Sequence, residues 1–199
     1  MNNYIIGVDI GTQGTKAMLF DLDLNVISSA FEPSRLVSPK PGCIWQEPDD
    51  LYLSCARTIK ELMDKSGKTP NSILSIGIDG QMAGIMGIDS KGEAVTYYDS
   101  WLDVRSAEYT SRLQQLAGNE AVSRSGGQIT SNQSTKILWW KYQHPEIYRK
   151  IAKFVLPHSY VIGRMTGLLA EQSIFDYTCL HFNSFSDNFN KSWNKPLLK

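Results

Sequence analysis

The sequence has 199 residues, of which 42% are hydrophobic and 20% are charged, proportions that are ordinary for a soluble globular domain. Its 20 basic and 20 acidic residues leave no net charge, which argues against a nucleic-acid partner and against attraction to an anionic membrane. No apolar run approaches the roughly 18 residues of a membrane span, and the 3 widely spaced cysteines are typical of free thiols in the cytoplasm. We therefore expect a cytoplasmic protein with one substantial core.

The first predicted element is a hairpin whose first strand, Tyr4–Val8, ends in Asp9 and whose second strand, Ala17–Phe20, follows a short polar loop. The loop residues available to a ligand are Gly11, Thr12, Gln13, Gly14, Thr15 and Lys16. Successive backbone N–H groups, hydroxyls and a lysine can hold a phosphate, and a carboxylate can hold Mg²⁺ through its water molecules. The same spacing also suits an ordinary tight turn with Lys16 in solvent, so the residues alone leave both interpretations open.

The next elements alternate between strands and helices. Val26–Phe31 is predicted as a third antiparallel strand and Pro33–Pro48 as an irregular segment, in which Trp45 packs against the body of the protein rather than a ligand. Apolar residues every three or four positions in Asp49–Lys65 predict a helix, and Ile73–Asp79 is predicted as a buried strand. Strand, helix and strand in this order indicate an α/β sheet, in which ligands bind beyond the strand ends.

The second half of the chain carries another concentration of polar and aromatic residues, between Tyr97 and Arg105. Asp103 is predicted to begin a helix that runs to Leu116 and is closed by Gly118; in the simplest interpretation Asp103 is only its N-cap and Arg105 lies in solvent. Further elements are predicted as strands at Ile85–Asp89 and Phe154–Leu156 and as helices at Ser134–Gln143, Pro145–Ala152 and Pro157–Met165.

The hairpin lacks two common phosphate motifs, Gly-x4-Gly-Lys-Ser/Thr and Gly-x-Gly-x-x-Gly. Its order, Asp9-x-Gly11-Thr12-x-Gly14-Thr15-Lys16, instead resembles the first phosphate loop of the superfamily that contains actin, hexokinase and Hsp70. This resemblance implies ATP bound against the loop and Mg²⁺ held by Asp9. It also implies the superfamily's α/β, ribonuclease H-like fold, with a mixed sheet flanked by helices.

Motifs spread over the whole chain resemble, in order and spacing, the N-terminal domain of the FGGY carbohydrate kinases, in particular the xylulokinase-like members. The matching segments are Asp9 to Lys16, Trp45-Gln46-Glu47-Pro48, Gly80-Gln81-Met82-x-Gly84, Trp101-x-Asp103-x-Arg105, Lys136-x-x-Trp139, Pro145-Glu146, Leu156-Pro157 and Thr166-Gly167. Each match is short, but their collinearity is specific. The stretch from Ser173 to Tyr177 departs from the family pattern.

In this family the sugar lies between the Gln-Met and the Trp-x-Asp-x-Arg segments. The resemblance therefore implies a sugar site formed by Gln81, Met82, Trp101, Asp103 and Arg105. Such a set suits a polyol, because an aspartate accepts from sugar hydroxyls, arginine and glutamine donate to them, and Met or Trp supplies an apolar face. Ala83 stands where xylulokinases usually have histidine, so the identity of the sugar substrate stays open. The Gln-Met pair argues against glycerol as that substrate.

The resemblance implies ATP-dependent phosphorylation of a ketose such as xylulose, or of a related polyol or sugar acid. It makes residues 1–199 the N-terminal domain of such a kinase and places the nucleotide-binding second domain and the catalytic aspartate beyond Lys199. We therefore expect no catalytic base in this chain, no sugar phosphorylation by the chain alone, and apolar surface that a homodimer would cover. The alternative is a non-catalytic sugar- or nucleotide-sensing module of the same fold. An actin- or Hsp70-like ATPase is disfavoured, because the Gln-Met pair and the Asp103-x-Arg105 pair would have no function in it.

Overall fold

The computed structural model describes residues 3–198. Its centre is a four-stranded mixed sheet in the order β3-β2-β1-β6. The strands β1 (Tyr4–Ile10), β2 (Gly14–Asp21) and β3 (Val26–Pro33) form an antiparallel meander, and β6 (Ile73–Gly80) pairs parallel to β1. The predicted hairpin, the predicted third strand and the predicted α/β sheet are thus confirmed. The prediction that the strand Ile73–Asp79 is buried was wrong, because β6 lies at the edge of this sheet and is mostly exposed.

One face of this sheet is buried because alternate residues of β1 are apolar and point to the same side. Helix α1 (Pro48–Ser66) belongs to the same core; it begins with a proline and ends at Gly67, whose φ of 64° lies in the left-handed region that favours glycine. The core shared by the sheet and α1 includes Tyr4, Ile6, Val8, Ile10, Leu51, Cys55 and Leu62. The sheet and this helix together fix the direction in which the hairpin loop points.

Two small sheets extend the core. Strands β4 (Val37–Lys40), β5 (Cys43–Gln46) and β8 (Tyr98–Asp99) form one of them, and β7 (Met86–Ile88) pairs with β9 (Lys153–Val155) in the other. The prediction of an irregular segment at Pro33–Pro48 was therefore wrong for β4 and β5. These strands are short, and β5 is held in place by β8, which lies some fifty residues away along the chain.

The remaining helices are α2 (Ala107–Ser125), α3 (Gln133–Gln143), α4 (Pro145–Tyr148) and α5 (Pro157–Thr166). The prediction of a helix from Asp103 to Leu116, closed by Gly118, was right about the helix but wrong about both of its ends. The carboxylate of Asp103 accepts from Ile44 N–H instead of capping α2, which begins four residues later. Gly118 lies inside α2, where a glycine costs only about 1 kcal/mol relative to alanine. The helix ends at Gly126, at φ 80°.

The helix predicted from Pro145 to Ala152 was also too long, because it ends at Tyr148. Ala152 N–H donates to the Ile88 carbonyl at 2.8 Å, and this bond to β7 draws the chain out of the helix and into the sheet. The predicted helices corresponding to α3 and α5 are confirmed to within one residue at each end. Within residues 3–198, no helix combines the length and the hydropathy that a membrane span requires.

The last thirty residues contain short helical turns and a small hairpin of β10 (Ser186–Asp187) and β11 (Ser192–Trp193). This region is fastened to α2, since Asn188 N–H donates to the Arg124 carbonyl at 2.9 Å and the Asn188 amide donates to the Ser125 carbonyl at 2.7 Å.

Candidate functional site

The predicted phosphate loop closes the β1–β2 hairpin. Gly11 N–H donates to the Gly14 carbonyl at 3.0 Å, and a Cβ added at Gly14 would overlap the Phe31 ring of β3, so the packing of β3 requires a glycine there. Thr15 is buried, and its hydroxyl forms a 2.7 Å hydrogen bond with that of Ser54 in α1. The side chain of Thr15 therefore anchors the hairpin to the core and is not free to contact a ligand.

The other side of the loop presents donors that have no partner. Among the described residues 3–198, the backbone N–H groups of Thr12 and Gln13 form no hydrogen bond. Lys16 is exposed and forms no ion pair within that part of the chain. Unpaired N–H groups beside a free ammonium group are the donor set that an anionic phosphate requires.

Asp9 is exposed at the end of β1, and its neighbours across the sheet are Lys16 in β2 and Asp79 in β6. Residues in register on adjacent strands point to the same face, so these three charged side chains form a row beside the loop. Partial burial raises the pKa of Asp9, and the negative charge of Asp79 raises it further by a smaller amount. Asp79 is not among the site residues predicted from the sequence; the sequence signal for it is an aspartate at the end of a second predicted strand, and the parallel pairing of the two strands brings it beside Asp9.

The donor set of the loop fits an ATP phosphate, and Asp9 fits Mg²⁺ in part. No group of three or more His, Cys, Asp or Glu residues within residues 3–198 could by itself hold a metal ion. Mg²⁺ usually keeps several water molecules and shares phosphate oxygens, so one or two carboxylates are a sufficient protein contribution. Asp9, with Asp79 at its side, can provide that contribution.

Thr12 joins the loop to two of the predicted sugar residues. The indole Nε1–H of Trp101 donates to Thr12 Oγ1 at 2.8 Å, and the Thr12 hydroxyl donates to Gln81 Oε1 at 3.0 Å. Gln81 Nε2 in turn donates to Gln46 Oε1 at 2.7 Å. Gln81 and Gln46 are buried, whereas Trp101 exposes 51% of its surface. The structure thus brings together residues from four separate segments in one hydrogen-bonded chain.

Met82 also lies at this end of the sheet and is 47% exposed. Its carbonyl accepts from the buried Gln133 Nε2 at 2.7 Å, which fixes the backbone just after β6. A Cβ at Gly84 would overlap the Asp99 carbonyl, so the glycine of this motif allows β8 to approach closely. Met82 and Trp101 are therefore exposed apolar groups next to a buried amide, an arrangement that suits a ligand with both hydroxyls and C–H surface.

Asp103 and Arg105 belong to a buried charged cluster, which we define as Asp99, Asp103, Arg105 and Lys136. Asp103 is only 2% exposed; its carboxylate accepts from Ile44 N–H at 2.8 Å, from Arg105 N–H at 3.0 Å and from Arg105 Nε at 2.8 Å. Arg105 Nη2 donates to Asp99 Oδ1 at 2.6 Å, and Lys136 Nζ donates to the Asp103 carbonyl at 2.6 Å. Each charge in the cluster has an opposite charge or a hydrogen-bond partner within the chain.

Aromatic rings enclose the guanidinium group of Arg105. Its central carbon lies 4.4 Å from the ring centroid of Trp139, 5.3 Å from that of Tyr97 and 5.8 Å from that of Trp45. Arg105 Nη1 also donates to the Tyr97 hydroxyl at 2.7 Å, and Trp45 stacks on Tyr97 with a centroid distance of 4.5 Å. The predicted packing role of Trp45 is confirmed, since its ring forms part of this enclosure.

Burial dominates the electrostatics of the cluster. It raises the pKa of Asp99 to about 7, against the opposing effects of the Trp140 indole hydrogen bond and of the charges on Arg105 and Lys136. Burial lowers the pKa of Lys136, against the opposing charges of Asp99 and Asp103. Asp99 is not among the site residues predicted from the sequence, although it lies in the stretch between Tyr97 and Arg105, two residues before the Trp101-x-Asp103-x-Arg105 motif.

The antiparallel meander, the parallel fourth strand and the polar hairpin loop at the strand ends define a ribonuclease H-like domain of the sugar-kinase class. Residues 4–199 match the model of the FGGY family of carbohydrate kinases, N-terminal domain. The chain belongs to this family.

Its similarity to individual members is moderate in sequence and close in structure. The xylulose kinase of Bacillus subtilis is 28% identical over 167 residues, which are 83% of this chain and 34% of that protein. Among solved structures, a xyloylose kinase from Brucella ovis shares 25% identity with a TM-score of 0.89, over 98% of this chain and 40% of the other. A Plasmodium falciparum glycerol kinase with ADP shares 25% identity with a TM-score of 0.82, over 96% and 39%. The chain thus spans less than half the length of these relatives.

Proposed function

We propose that this chain is the N-terminal, sugar-binding part of an ATP-dependent carbohydrate kinase. The observation that carries the proposal is the Thr12 hydrogen-bond chain, because it joins a loop with unpaired phosphate donors to the exposed end of the predicted sugar site. The family match and the names of the relatives support the same reaction class. The nucleotide-binding second domain and the catalytic base then belong to the part of the kinase that follows residue 199.

In this proposal the loop from Gly11 to Lys16 binds the phosphates of ATP, and Asp9 holds Mg²⁺ through water. ATP supplies the phosphoryl group. The loop N–H groups and Lys16 neutralise phosphate charge and fix its position, and positioning with charge stabilisation accounts for most of the catalysis of phosphoryl transfer. Asp9 is not assigned as the base, because a carboxylate held beside Mg²⁺ is a poor proton acceptor.

The sugar is proposed to lie against Gln81, Met82 and Trp101. The amide exchanges hydrogen bonds with sugar hydroxyls, and the two exposed apolar side chains cover C–H surface. Asp103 and Arg105 remain predicted sugar ligands. A sugar that contacted them would have to replace partners that both side chains already have inside the chain, and breaking such bonds has a cost of its own.

The proposed acceptor is a ketose such as xylulose, or a related polyol or sugar acid. Two of the relatives are named for xylulose, and one is named for glycerol. Ala83 offers no polar side chain, so the polar contact from this segment is proposed to come from Gln81. A wrong sugar that displaced the Thr12 or Gln46 hydrogen bond of Gln81 without replacing it would leave a buried polar group unpaired, and such groups discriminate strongly between substrates.

The test compares this chain with a longer chain that includes the downstream coding sequence. Both are incubated with Mg-ATP and a panel of D-xylulose, D-gluconate, glycerol and other polyols, and sugar-dependent ADP release is measured. The proposal expects release only from the longer chain, because a single domain supplies only one wall of a closed, water-poor cleft. Turnover by the 199-residue chain would show that the base has been misplaced. Ligand binding without turnover by the longer chain would favour a sensing module.

A further inference from the structure

We infer that the hydroxyl of Thr12 couples the phosphate loop to the sugar site, so that nucleotide and sugar bind cooperatively. This inference rests on the proposed function. It assigns Thr12 a positioning role between two ligands in addition to its place in the loop. Thr12 Oγ1 contacts one donor, Trp101 Nε1, and one acceptor, Gln81 Oε1, and its hydroxyl carries a single proton.

Thr12 makes two side-chain hydrogen bonds to distant parts of the chain. Its Oγ1 accepts from Trp101, which is 89 residues away, and donates to Gln81, which is 69 residues away. Both partners are predicted sugar residues, whereas the backbone N–H of Thr12, in the predicted phosphate loop, forms no hydrogen bond within residues 3–198. One residue therefore has its main chain in the loop and its side chain in the sugar site.

The coupling follows from a competition for one proton. A threonine hydroxyl has a single O–H donor, and the Thr12 donor is given to Gln81 Oε1. Phosphate oxygens only accept, so a phosphate in the loop can bond this hydroxyl only by taking the donor away from Gln81. The hydrogen bond from Trp101 uses a lone pair of Oγ1 and survives the exchange. Trp101 thus stays attached to the loop while Gln81 loses its donor.

Gln81 cannot turn away to find another donor. Its Nε2 is held by Gln46 Oε1 at 2.7 Å, and both side chains are buried. A buried carbonyl oxygen without a donor is unfavourable, and a sugar hydroxyl is a donor of the right kind. Phosphate bound at the loop therefore prepares Gln81 Oε1 to accept from the sugar. By thermodynamic reciprocity, bound sugar lowers the cost of transferring the Thr12 donor from Gln81 to the phosphate, because Gln81 Oε1 then keeps a donor.

The experiment uses the ¹⁵N-labelled 199-residue chain in NMR titrations with Mg-ATP and D-xylulose, which tolerate weak binding. The backbone amides of Gly11 and Gly14 report occupancy of the loop, and the side-chain amide of Gln81 reports the sugar site. In the wild type, saturating Mg-ATP is expected to shift the backbone resonances of Gly11 and Gly14 and the side-chain amide resonance of Gln81. It is also expected to tighten D-xylulose binding about tenfold. Thr12→Ser, which keeps the hydroxyl, should retain the effect.

Thr12→Val has nearly the same shape but no hydroxyl. It should bind Mg-ATP more weakly, and at saturation its affinity for D-xylulose should be the same with and without nucleotide. If Gly11 and Gly14 shift but D-xylulose binding responds equally in the wild type and Thr12→Val, the inference is overturned while the proposed function stands. If Mg-ATP leaves Gly11 and Gly14 unshifted, the inference is overturned, and the proposed function fails as well only if the longer kinase also releases no ADP with any sugar. An uncoupled wild type overturns the inference even if Thr12→Val does not fold.

Discussion

The hairpin and the buried charged cluster contain the same kinds of charged residue, but those of the hairpin are exposed and those of the cluster are buried and paired. Asp9 and Lys16 are exposed, and neither forms an ion pair within residues 3–198. Asp103 and Arg105 are 2.8 Å apart, and the side chains of this pair are only 2% and 14% exposed. Both pairs belong to motifs that resemble the functional motifs of one family. Only the loop pair has charges that are free to meet a ligand without first breaking an internal bond.

This difference shows that a motif match and a free side chain are separate properties. A buried charge without a partner is strongly unfavourable, so the cluster has to be satisfied before any ligand arrives. An exposed charge is solvated by water and can exchange that water for a phosphate or a metal ion at little cost. We therefore expect substitutions in the loop to affect activity and substitutions in the cluster to affect stability.

The largest effect is expected for Asp9→Ala. In the longer kinase, loss of the proposed metal carboxylate should lower kcat on the order of ten-thousandfold, equivalent to about 5.5 kcal/mol. The free energy of unfolding should stay within about 0.5 kcal/mol of the wild type, because Asp9 is exposed. Steady-state kinetics and chemical denaturation measure the two quantities. Asp23→Ala, an exposed carboxylate in the β2–β3 turn, is the matched control, and near-normal turnover of Asp9→Ala would remove Asp9 from the metal site.

Asp103→Ala is expected to reverse this pattern. It leaves Arg105 without one of its two carboxylates and Ile44 N–H without an acceptor, so the free energy of unfolding should fall by about 3–5 kcal/mol. Urea denaturation of the 199-residue chain, followed by tryptophan fluorescence, gives this value. If the variant is as stable as the wild type and only its sugar affinity is lower, then Asp103 is a sugar ligand first and the contrast between the two regions is wrong.

Lys16→Met should produce a smaller effect, again confined to binding. Removing a charged donor should weaken Mg-ATP binding by about tenfold to a hundredfold, while stability is unchanged since Lys16 has no ion pair within residues 3–198. Calorimetric titration of the longer kinase measures the affinity. Lys60→Met, on the exposed face of α1, controls for net charge. An unchanged affinity for nucleotide would contradict this prediction and favour the interpretation of the hairpin as an ordinary tight turn with Lys16 in solvent.

The smallest effect is expected where a pair is exposed and also satisfied. Arg57 of α1 and Glu32 of β3 form such an ion pair, and the hydrogen bond from Arg57 lowers the pKa of Glu32. A lowered pKa in the folded state stabilises the protein above the ordinary pKa near 4.5, and this contribution disappears as the pH falls through the folded value. Because water screens the pair, Glu32→Gln should cost at most about 1 kcal/mol at pH 7.

Thermal unfolding of Glu32→Gln and the wild type between pH 3 and pH 7 tests this expectation, and the two stabilities should converge at the acid end. At pH 7 the free energy of unfolding should fall much less for Glu32→Gln than for Asp103→Ala. Equal losses at pH 7 would mean that burial does not separate the buried cluster from the exposed pairs.

Much of the fold could be predicted because it depends on residues close together in the sequence. The β1–β2 hairpin follows from two apolar runs around glycines, and α1 follows from apolar spacing, a leading proline and a closing Gly67. The site was predicted less completely. Its loop residues are contiguous, but Asp79 lies beside Asp9 only because β6 pairs parallel to β1 across sixty intervening residues. No local pattern contains that neighbour.

The sequence by itself determined the family, the hairpin loop and the order of the main strands and helices, since each depends on local spacing or on a collinear series of motifs. The tertiary structure alone decided which polar groups are free. It buried Arg105 among three aromatic rings, drew Asp103 to Ile44, and joined Thr12 to Gln81 and Trp101. The physical reason is that a hydrogen bond or an ion pair depends on distance and burial, which the chain acquires only when segments far apart in sequence pack together.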